Sequence, residues 1–359
     1  MTLDVARCRL TSQQLLGATA TEPADVVQHL VAVQAQDYAD AKWALGLRST
    51  GVTEDRVERA LADGHILRTH LLRPTWHFVT PADIRWLLVL TAPRVKAVNA
   101  HMYRKVGLDA PSFRRSNRAI AKALQGGHFL TRDELRDALT RAGIDTDGDQ
   151  RLVYMLMHAE LDGIICSGPR RGKQFTYAML EERVPPARIR TQDEALAELA
   201  YRYFVSRGPA TVNDMAKWSG LTLTDVRKGV GAVRHRLVSE VVGERTFWLS
   251  PSTTVARASR GPTVHLLSIF DEYVSAYKDR SAMADEETRA RLSAVGNALT
   301  HIVVIGGTVA GRWKPRVERR TVVVTLDLFR RLTPAEDGAV DAAVARYGRF
   351  AQTPVRLER

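Results

Sequence analysis

Thr211-Val-Asn-Asp-Met-Ala-Lys-Trp-Ser-Gly220 leads into Leu221-Thr-Leu-Thr-Asp-Val-Arg-Lys-Gly-Val-Gly-Ala-Val233 and on to Leu237-Val-Ser-Glu-Val-Val-Gly-Glu-Arg-Thr-Phe-Trp-Leu249. Thr211 is placed to cap a helix whose Val212, Met215 and Trp218 fall on one face. Ser219-Gly220 breaks that helix, and Thr222 or Thr224 caps a second one through Val226, Val230 and Val233. Leu237 to Val242 and Thr246 to Leu249 then read as two strands turning at Gly243-Glu244. The stretch therefore predicts helix, break, helix and hairpin, in that order.

The same order recurs upstream. Between about Asn117 and Tyr177, Thr131-Arg-Asp-Glu134 is a capping-box pattern ahead of Leu135 and Leu139. Asp149 is placed to cap a helix over Leu152 to Leu161. Short strands Ile164-Ile-Cys166 and Phe175-Thr-Tyr177 follow, joined by the Gly-rich basic tip Ser167-Gly-Pro-Arg-Arg-Gly-Lys-Gln174. Between about Thr11 and Thr80, Glu22-Pro23 opens a helix with Val26, Val27, Leu30 and Val33, and a second spans about Ala39 to Leu47. Thr53 caps a third helix ending at Gly64, before strands Ile66 to Leu71 and Thr75 to Val79. Helix, turn, helix and a two-stranded wing is the winged-helix variant of the helix-turn-helix.

After the third copy, Val264-His-Leu-Leu-Ser-Ile269, His301-Ile-Val-Val-Ile305 and Thr321-Val-Val-Val-Thr-Leu326 are β-rich, and Ala339 to Tyr347 reads as a closing helix. Gly306-Gly-Thr-Val-Ala-Gly311 lacks the glycine spacing of a dinucleotide loop and reads as a β-hairpin. The expected fold is α+β, mainly α. Tandem winged-helix units occupy 1–110, 111–186 (with Val184-Pro-Pro186 as linker) and 187–255, and a β-rich unit with a terminal helix occupies 256–359.

The 359 residues carry 52 Lys and Arg against 40 Asp and Glu, a formal charge of +12. That excess suits a polyanion, nucleic acid before membrane, though a solvated basic surface has the same composition. Cys8 and Cys166 share no metal-ligand spacing and no disulfide framework, which fits a reducing cytoplasm. The N-terminus lacks the apolar core of a signal peptide, and no window is long and apolar enough to span a membrane. Arg170, Arg171 and Lys173 crown the second wing, where a basic tip suits phosphate contact or groove insertion, or is a solvated loop. Arg114, Arg115 and Arg118 form another basic cluster.

Gln34-Ala35-Gln36 places two amides around one small apolar residue. Amides donate and accept hydrogen bonds without ionising. This string, Val33-Gln-Ala-Gln-Asp37, stands in order with Arg73-Pro-Thr-Trp-His77, Phe270-Asp-Glu-Tyr273, Tyr277-Lys-Asp-Arg280 and Gly311-Arg-Trp313. Together they resemble the winged-helix DNA glycosylases of the AlkZ and YcaQ type over nearly the whole chain. The resemblance implies a C-shaped array of winged helices acting on double-stranded DNA with alkylated purines. It further implies a monofunctional glycosylase that serves base excision repair and self-resistance to genotoxins. Bulky natural-product adducts and interstrand crosslinks are the substrates of the AlkZ branch, which the Gln-x-Gln form matches. N7-alkylguanines and crosslinks more broadly are those of the YcaQ branch. The catalytic role falls on Gln34 and Gln36; Asp37 is outside the motif.

The chemistry suits neutral amides. Glycosidases on neutral sugars use two carboxyl groups. A purine alkylated at N7 is already cationic and leaves as a neutral base, so a general acid is less necessary. What remains is to place water and steady the developing positive charge at the sugar. Gln36 is expected to position the water and Gln34 to fix geometry at the sugar, or the reverse. No metal or cofactor is required, and a monomer suffices to read one lesion. Arg73, Thr75 and His77 share one strand face, either lining the DNA cleft or as a partly buried His with a surface Arg. Asp271 and Glu272 read as a salt bridge or cap with Lys278 or Arg280 rather than as catalytic carboxylates. The competing reading is a non-catalytic winged-helix DNA-binding protein or transcriptional regulator.

Overall fold

A computed structural model describes residues 3–148, 150–188, 190–253, 261–293 and 300–358. The chain opens with α1 (Val5–Ser12), capped by the Asp4 carboxylate on the Arg7 N–H. Pro23 at the first turn starts α2 (Pro23–Leu30), which buries Val26, Val27 and Leu30. A three-residue strand, β1 (Ala32–Gln34), then precedes α3 (Tyr38–Gly46) and α4 (Glu54–Ala62), capped by Asp37 and Thr53 respectively. The hairpin β2 (Leu67–Leu71) and β3 (Thr75–Val79) follows, and β1 joins it in the antiparallel order β1-β3-β2. The first sheet thus has a strand beyond the expected pair. Its three residues are all buried, so no inside-outside alternation marks them in the sequence.

The long helix α5 (Pro81–Lys105) was not foreshadowed by the pattern of caps and stripes. Its buried residues include Asp83, Ile84, Trp86, Leu87 and Leu88, spread around the helix, and Pro93 lies inside it. Next come α6 (Ala110–Leu124), β4 (Leu130–Thr131), α7 (Arg132–Arg141), α8 (Arg151–Leu161), β5 (Ile165–Ser167) and β6 (Thr176–Met179). The capping box at Thr131 and Glu134 is formed in full. The expected Asp149 cap lies outside the described residues; Gln150 precedes α8 without a side-chain cap. The short α9 (Leu180–Arg183) leads through Val184-Pro185-Pro186 to α10 (Gln192–Arg207), α11 (Val212–Ser219), α12 (Leu223–Val233), β7 (Val238–Val242) and β8 (Arg245–Leu249). Gly220 ends α11 at φ 71°, where a side chain would be strained.

The remaining elements are β9 (Val264–Leu267), α13 (Glu272–Ser275), α14 (Glu286–Ser293), β10 (Ile302–Ile305), β11 (Thr308–Glu318), β12 (Thr321–Leu328), α15 (Pro334–Ala351) and β13 (Val355–Glu358). Their sheet runs β13-β12-β11-β10-β9, antiparallel except for β12 with β13. Gly306 and Gly307 form the turn between β10 and β11, at φ 60° and 99°.

The first sheet sits between two cores. Val33, Ala35 and Phe78 pack with the C-terminal sheet, where the Trp43 indole N–H donates to Leu266 O at 2.7 Å. Ala32, Leu67, Leu71 and Val79, on the other face, pack with α5, α10, α11 and α12. Gln34 follows the second set by the period of two, so its side chain enters a seam between modules.

Candidate active site

Gln34 ends β1 opposite His77 of β3. Its backbone N–H donates to Glu272 Oε1 at 3.0 Å, and the residue is only 9% exposed. Its Oε1 accepts a long hydrogen bond of 3.4 Å from Arg73 Nη2. Ala35 is fully buried: its N–H donates to Trp76 O at 2.7 Å and its carbonyl accepts from Arg68 Nε at 3.1 Å. Gln36 is exposed, and its Oε1 accepts from the Trp76 N–H at 3.4 Å. Asp37 turns away to cap α3 through the Asp40 N–H at 3.0 Å. Gln34 thus lies in a buried seam, and Gln36 stands exposed at the far end of the segment.

Glu272 is the hub behind Gln34. Its Oε2 accepts from Arg207 Nε at 3.1 Å, Arg207 Nη2 at 2.7 Å and the Trp218 indole N–H at 3.0 Å. Burial pushes its carboxyl up, but Arg207, the Gln34 N–H and Arg73 outweigh that and hold it below the usual carboxylate range. Arg207 Nη1 also donates to Leu30 O at 2.7 Å and Nη2 to Ala32 O at 2.9 Å. Those carbonyls flank Val31, which sits at φ 67°, a left-handed value that β-branched residues rarely adopt. The guanidinium therefore clamps the strained entry to the Gln34 strand. Beside it, Arg48 forms a fork on Asp271 at 2.7 and 2.9 Å and donates to Gln13 Oε1 at 2.9 Å. Asp271 also caps α13. The expected salt bridge and cap are present, but the partners are Arg48 and Arg207 rather than Lys278 or Arg280. Buried arginines satisfy these carboxylates because an unpaired charge there would be costly.

Arg73, Thr75 and His77 do share a face, and that face turns inward. Arg73 Nη1 donates to Trp218 O at 2.6 Å and Lys217 O at 3.2 Å, carbonyls in the last turn of α11. His77 is fully buried, with Nδ1 3.0 Å from Thr75 O. Burial, and next the Arg73 charge, push its pKa well down, so it is a neutral and weak base. Among the described residues His77 Nε2, Thr75 Oγ1 and Thr69 Oγ1 are buried without a hydrogen-bond partner, which leaves polar capacity beside Gln34. The expected cleft-lining role thus meets an inward-facing arrangement, because the third module covers this face of the sheet.

At the second hairpin, Arg170 Nη1 bonds Glu58 Oε1 at 3.2 Å and Arg171 Nη1 bonds Glu134 Oε1 at 2.7 Å. Lys173 is exposed and makes no ion pair among the described residues. Arg114, Arg115 and Arg118 lie along the exposed side of α6. Both cysteines are free and buried. Among the described residues no helix is long and apolar enough to cross a membrane, and no group of three or more His, Cys, Asp or Glu could hold a metal ion.

The family model described as DNA glycosylase AlkZ-like matches residues 27–350, spanning the Gln pair and its Glu272 support. The chain belongs to the AlkZ-like DNA glycosylase family. It is accordingly an enzyme, a DNA glycosylase, and a protein of DNA repair. It is similar to the interstrand DNA cross-link repair glycosylase of Streptomyces sahachiroi, 27% identical over 362 residues and 97% of each chain. The solved structure of Streptomyces sahachiroi DNA glycosylase AlkZ is also similar, at TM-score 0.81 and 25% identity, covering 99% of this chain and 98% of that one. In this glycosylase, Glu272, Arg207 and Trp218 support the site, yet their partners lie 54 to 238 positions away, so spacing alone could not pair them.

Proposed function

We propose that this glycosylase hydrolyses the N-glycosidic bond of alkylated purines in double-stranded DNA. N7-alkylguanines, bulky natural-product adducts and interstrand crosslinks are its substrates, in base excision repair and self-resistance. The observation that carries the reading is the divided Gln pair. Gln34 is held by Glu272 and Arg73 in a buried seam, and Gln36 stands exposed on Trp76. Gln34 presents its amide to the sugar, while Gln36 orients the attacking water. As the carbon–nitrogen bond breaks, its electron pair passes to the purine and cancels the charge that alkylation placed there. Water adds to the sugar carbon and its proton leaves to solvent. No group in this scheme needs to be an acid, and preorganised dipoles supply the stabilisation.

The three helix-and-hairpin modules are read as tandem winged helices at 1–110, 111–186 and 187–255, with the β-rich unit at 256–359. Lys173, with Arg170 and Arg171 released from their carboxylates, is assigned to the DNA backbone. Arg73 and His77 are assigned to support of the Gln34 strand. The enzyme is read as a cytoplasmic monomer, as one asymmetric site needs no symmetry mate.

The test is release of free base from N7-methylguanine DNA and from crosslinked DNA by wild type, Gln34→Ala and Gln36→Ala. Loss of at least about 100-fold in either variant is expected, comparable to removing a preorganised dipole elsewhere. Wild type that releases no base from any alkylated substrate would sink the reading. Activity retained in both variants would move the site elsewhere.

A further inference from the structure

We propose that Arg73 fixes the Gln34 amide with its oxygen inward and its NH2 outward, and that this NH2 holds a phosphate oxygen flanking the scissile nucleotide. This deepens the glycosylase reading and rests on its placement of that nucleotide at Gln34.

Arg73 works as a fork. Its Nη1 takes the Trp218 and Lys217 carbonyls of α11, and its Nη2 reaches Gln34 Oε1 at 3.4 Å. That last bond is long, yet its direction is forced. A guanidinium only donates, so an amide turned the other way would set N–H against N–H. Gln34 has little room to turn. It is buried, its backbone N–H is tied to Glu272 Oε1 at 3.0 Å, and its strand is paired with β3. The third module, through α11 and Arg73, therefore sets the polarity of an amide on the first.

Gln34 Nε2 is what remains for a ligand. Among the described residues it makes no hydrogen bond, and it is not one of the buried polar atoms without a partner. His77, opposite it on β3, does not take it up, since His77 Nε2 is itself buried and unpartnered. The two amide hydrogens thus keep an open side and call for an acceptor. Gln36 has the same polarity, its Oε1 taken by the Trp76 N–H, but Gln36 is exposed and free to turn. Gln34 is the fixed donor of the pair.

Charge selects the acceptor. Breaking the glycosidic bond builds positive charge on the sugar, and a donor aimed at the ring oxygen would oppose it. An anionic oxygen held beside the sugar does the reverse. The guanidinium behind Gln34 polarises the amide and strengthens its N–H groups towards an anion. In DNA the anionic oxygens nearest the scissile sugar belong to its 3′ and 5′ phosphates. Arg73 is then a positioning residue, acting on the phosphate through Gln34.

The experiment measures single-turnover base release from N7-methylguanine duplexes whose 3′ or 5′ flanking phosphate is natural or replaced by a neutral methylphosphonate. Wild type is expected to slow by about 10- to 150-fold on one of the two methylphosphonates, the range for a hydrogen bond to a charged group. Gln34→Glu pairs one oxygen with Arg73 and turns an acceptor outward. It should be slow on natural DNA, and neutralising the same phosphate should slow it no further. Arg73→Lys keeps a donor for α11 but has no second arm for Gln34, so the phosphate effect should shrink while thermal unfolding shows the fold retained. A wild type indifferent to both methylphosphonates, or Gln34→Glu that releases base at the wild-type rate, overturns the proposal. An undiminished phosphate effect in folded Arg73→Lys overturns the part given to Arg73; if that variant does not fold, the wild-type and Gln34→Glu results decide. Affinity for the matching duplexes with an uncleavable 2′-fluoroarabino nucleotide is measured in parallel. A wild type that loses affinity on the methylphosphonate, in a way abolished by Gln34→Glu, yet releases no base would remove the catalytic reading and leave the phosphate contact standing.

Discussion

Replacing Glu272 with Gln keeps the side chain's shape and removes one charge at the centre of the site's support. Both carboxylate oxygens accept only: Oε1 from the Gln34 N–H, and Oε2 from Arg207 and Trp218. A carboxamide must turn its NH2 to one side, and either orientation sets a donor against a donor. Arg207 and Glu272 are both 0% exposed, so the variant also strands a buried guanidinium. Breaking such a pair costs about 3–5 kcal/mol, against a total stability of about 5–15 kcal/mol. At roughly 2–4 °C per kcal/mol, the midpoint of thermal unfolding should fall by roughly 6–20 °C.

The assay is calorimetry of wild type and Glu272→Gln from pH 7 downward. The folded pKa of Glu272 lies below its ordinary value of 4.5. Its contribution is therefore present above the unfolded pKa and is lost as pH falls through the folded one. The gap between the proteins should be constant near neutrality and narrow below about pH 4.5, the ordinary glutamate value. Because Arg207 also clamps Leu30 and Ala32 around Val31, base release by folded variant should slow in the chemical step more than in DNA affinity. A fall under about 2 °C at pH 7, less than a 1 kcal/mol change would give, refutes the reasoning. So does a gap that does not narrow in acid.

Lys173→Ala should weaken DNA binding about equally for damaged and undamaged duplexes and lower the slope of log affinity on log salt by about one; an unchanged slope removes Lys173 from the interface. Lys217 is the lysine to watch for Schiff-base chemistry. Burial, then the charges of Arg73 and Arg280, bring it down to about 8, yet its Nζ is engaged by Ser275 O. Borohydride should trap no protein–DNA complex, and a complex that disappears in Lys217→Ala would overturn the purely hydrolytic scheme.

Much of the fold is local and was legible. The capping threonines at 53, 131, 211 and 222 all accept the backbone N–H expected of them. The expected turn at Gly243-Glu244 falls between β7 and β8, and the expected hairpin at Gly306–Gly311 turns at Gly306-Gly307. Caps and two-residue turns act over three or four positions, so residue order suffices to specify them. The Gln pair stands out in the sequence as well, and the proposal that amides suffice rests on a cationic leaving base.

What tertiary structure decided is direction and partnership. β1 exists because Ala32–Gln34 finds β3 more than forty positions on. Arg73 and His77 share a strand face by period, but only the packing of α11 makes that face an interior one. Asp271 and Glu272 could be read as charges needing partners. That those partners are Arg48 and Arg207, 223 and 65 positions away, follows from burial. A charge excluded from water takes whichever counter-charge the fold brings to it, and sequence separation carries no record of that choice.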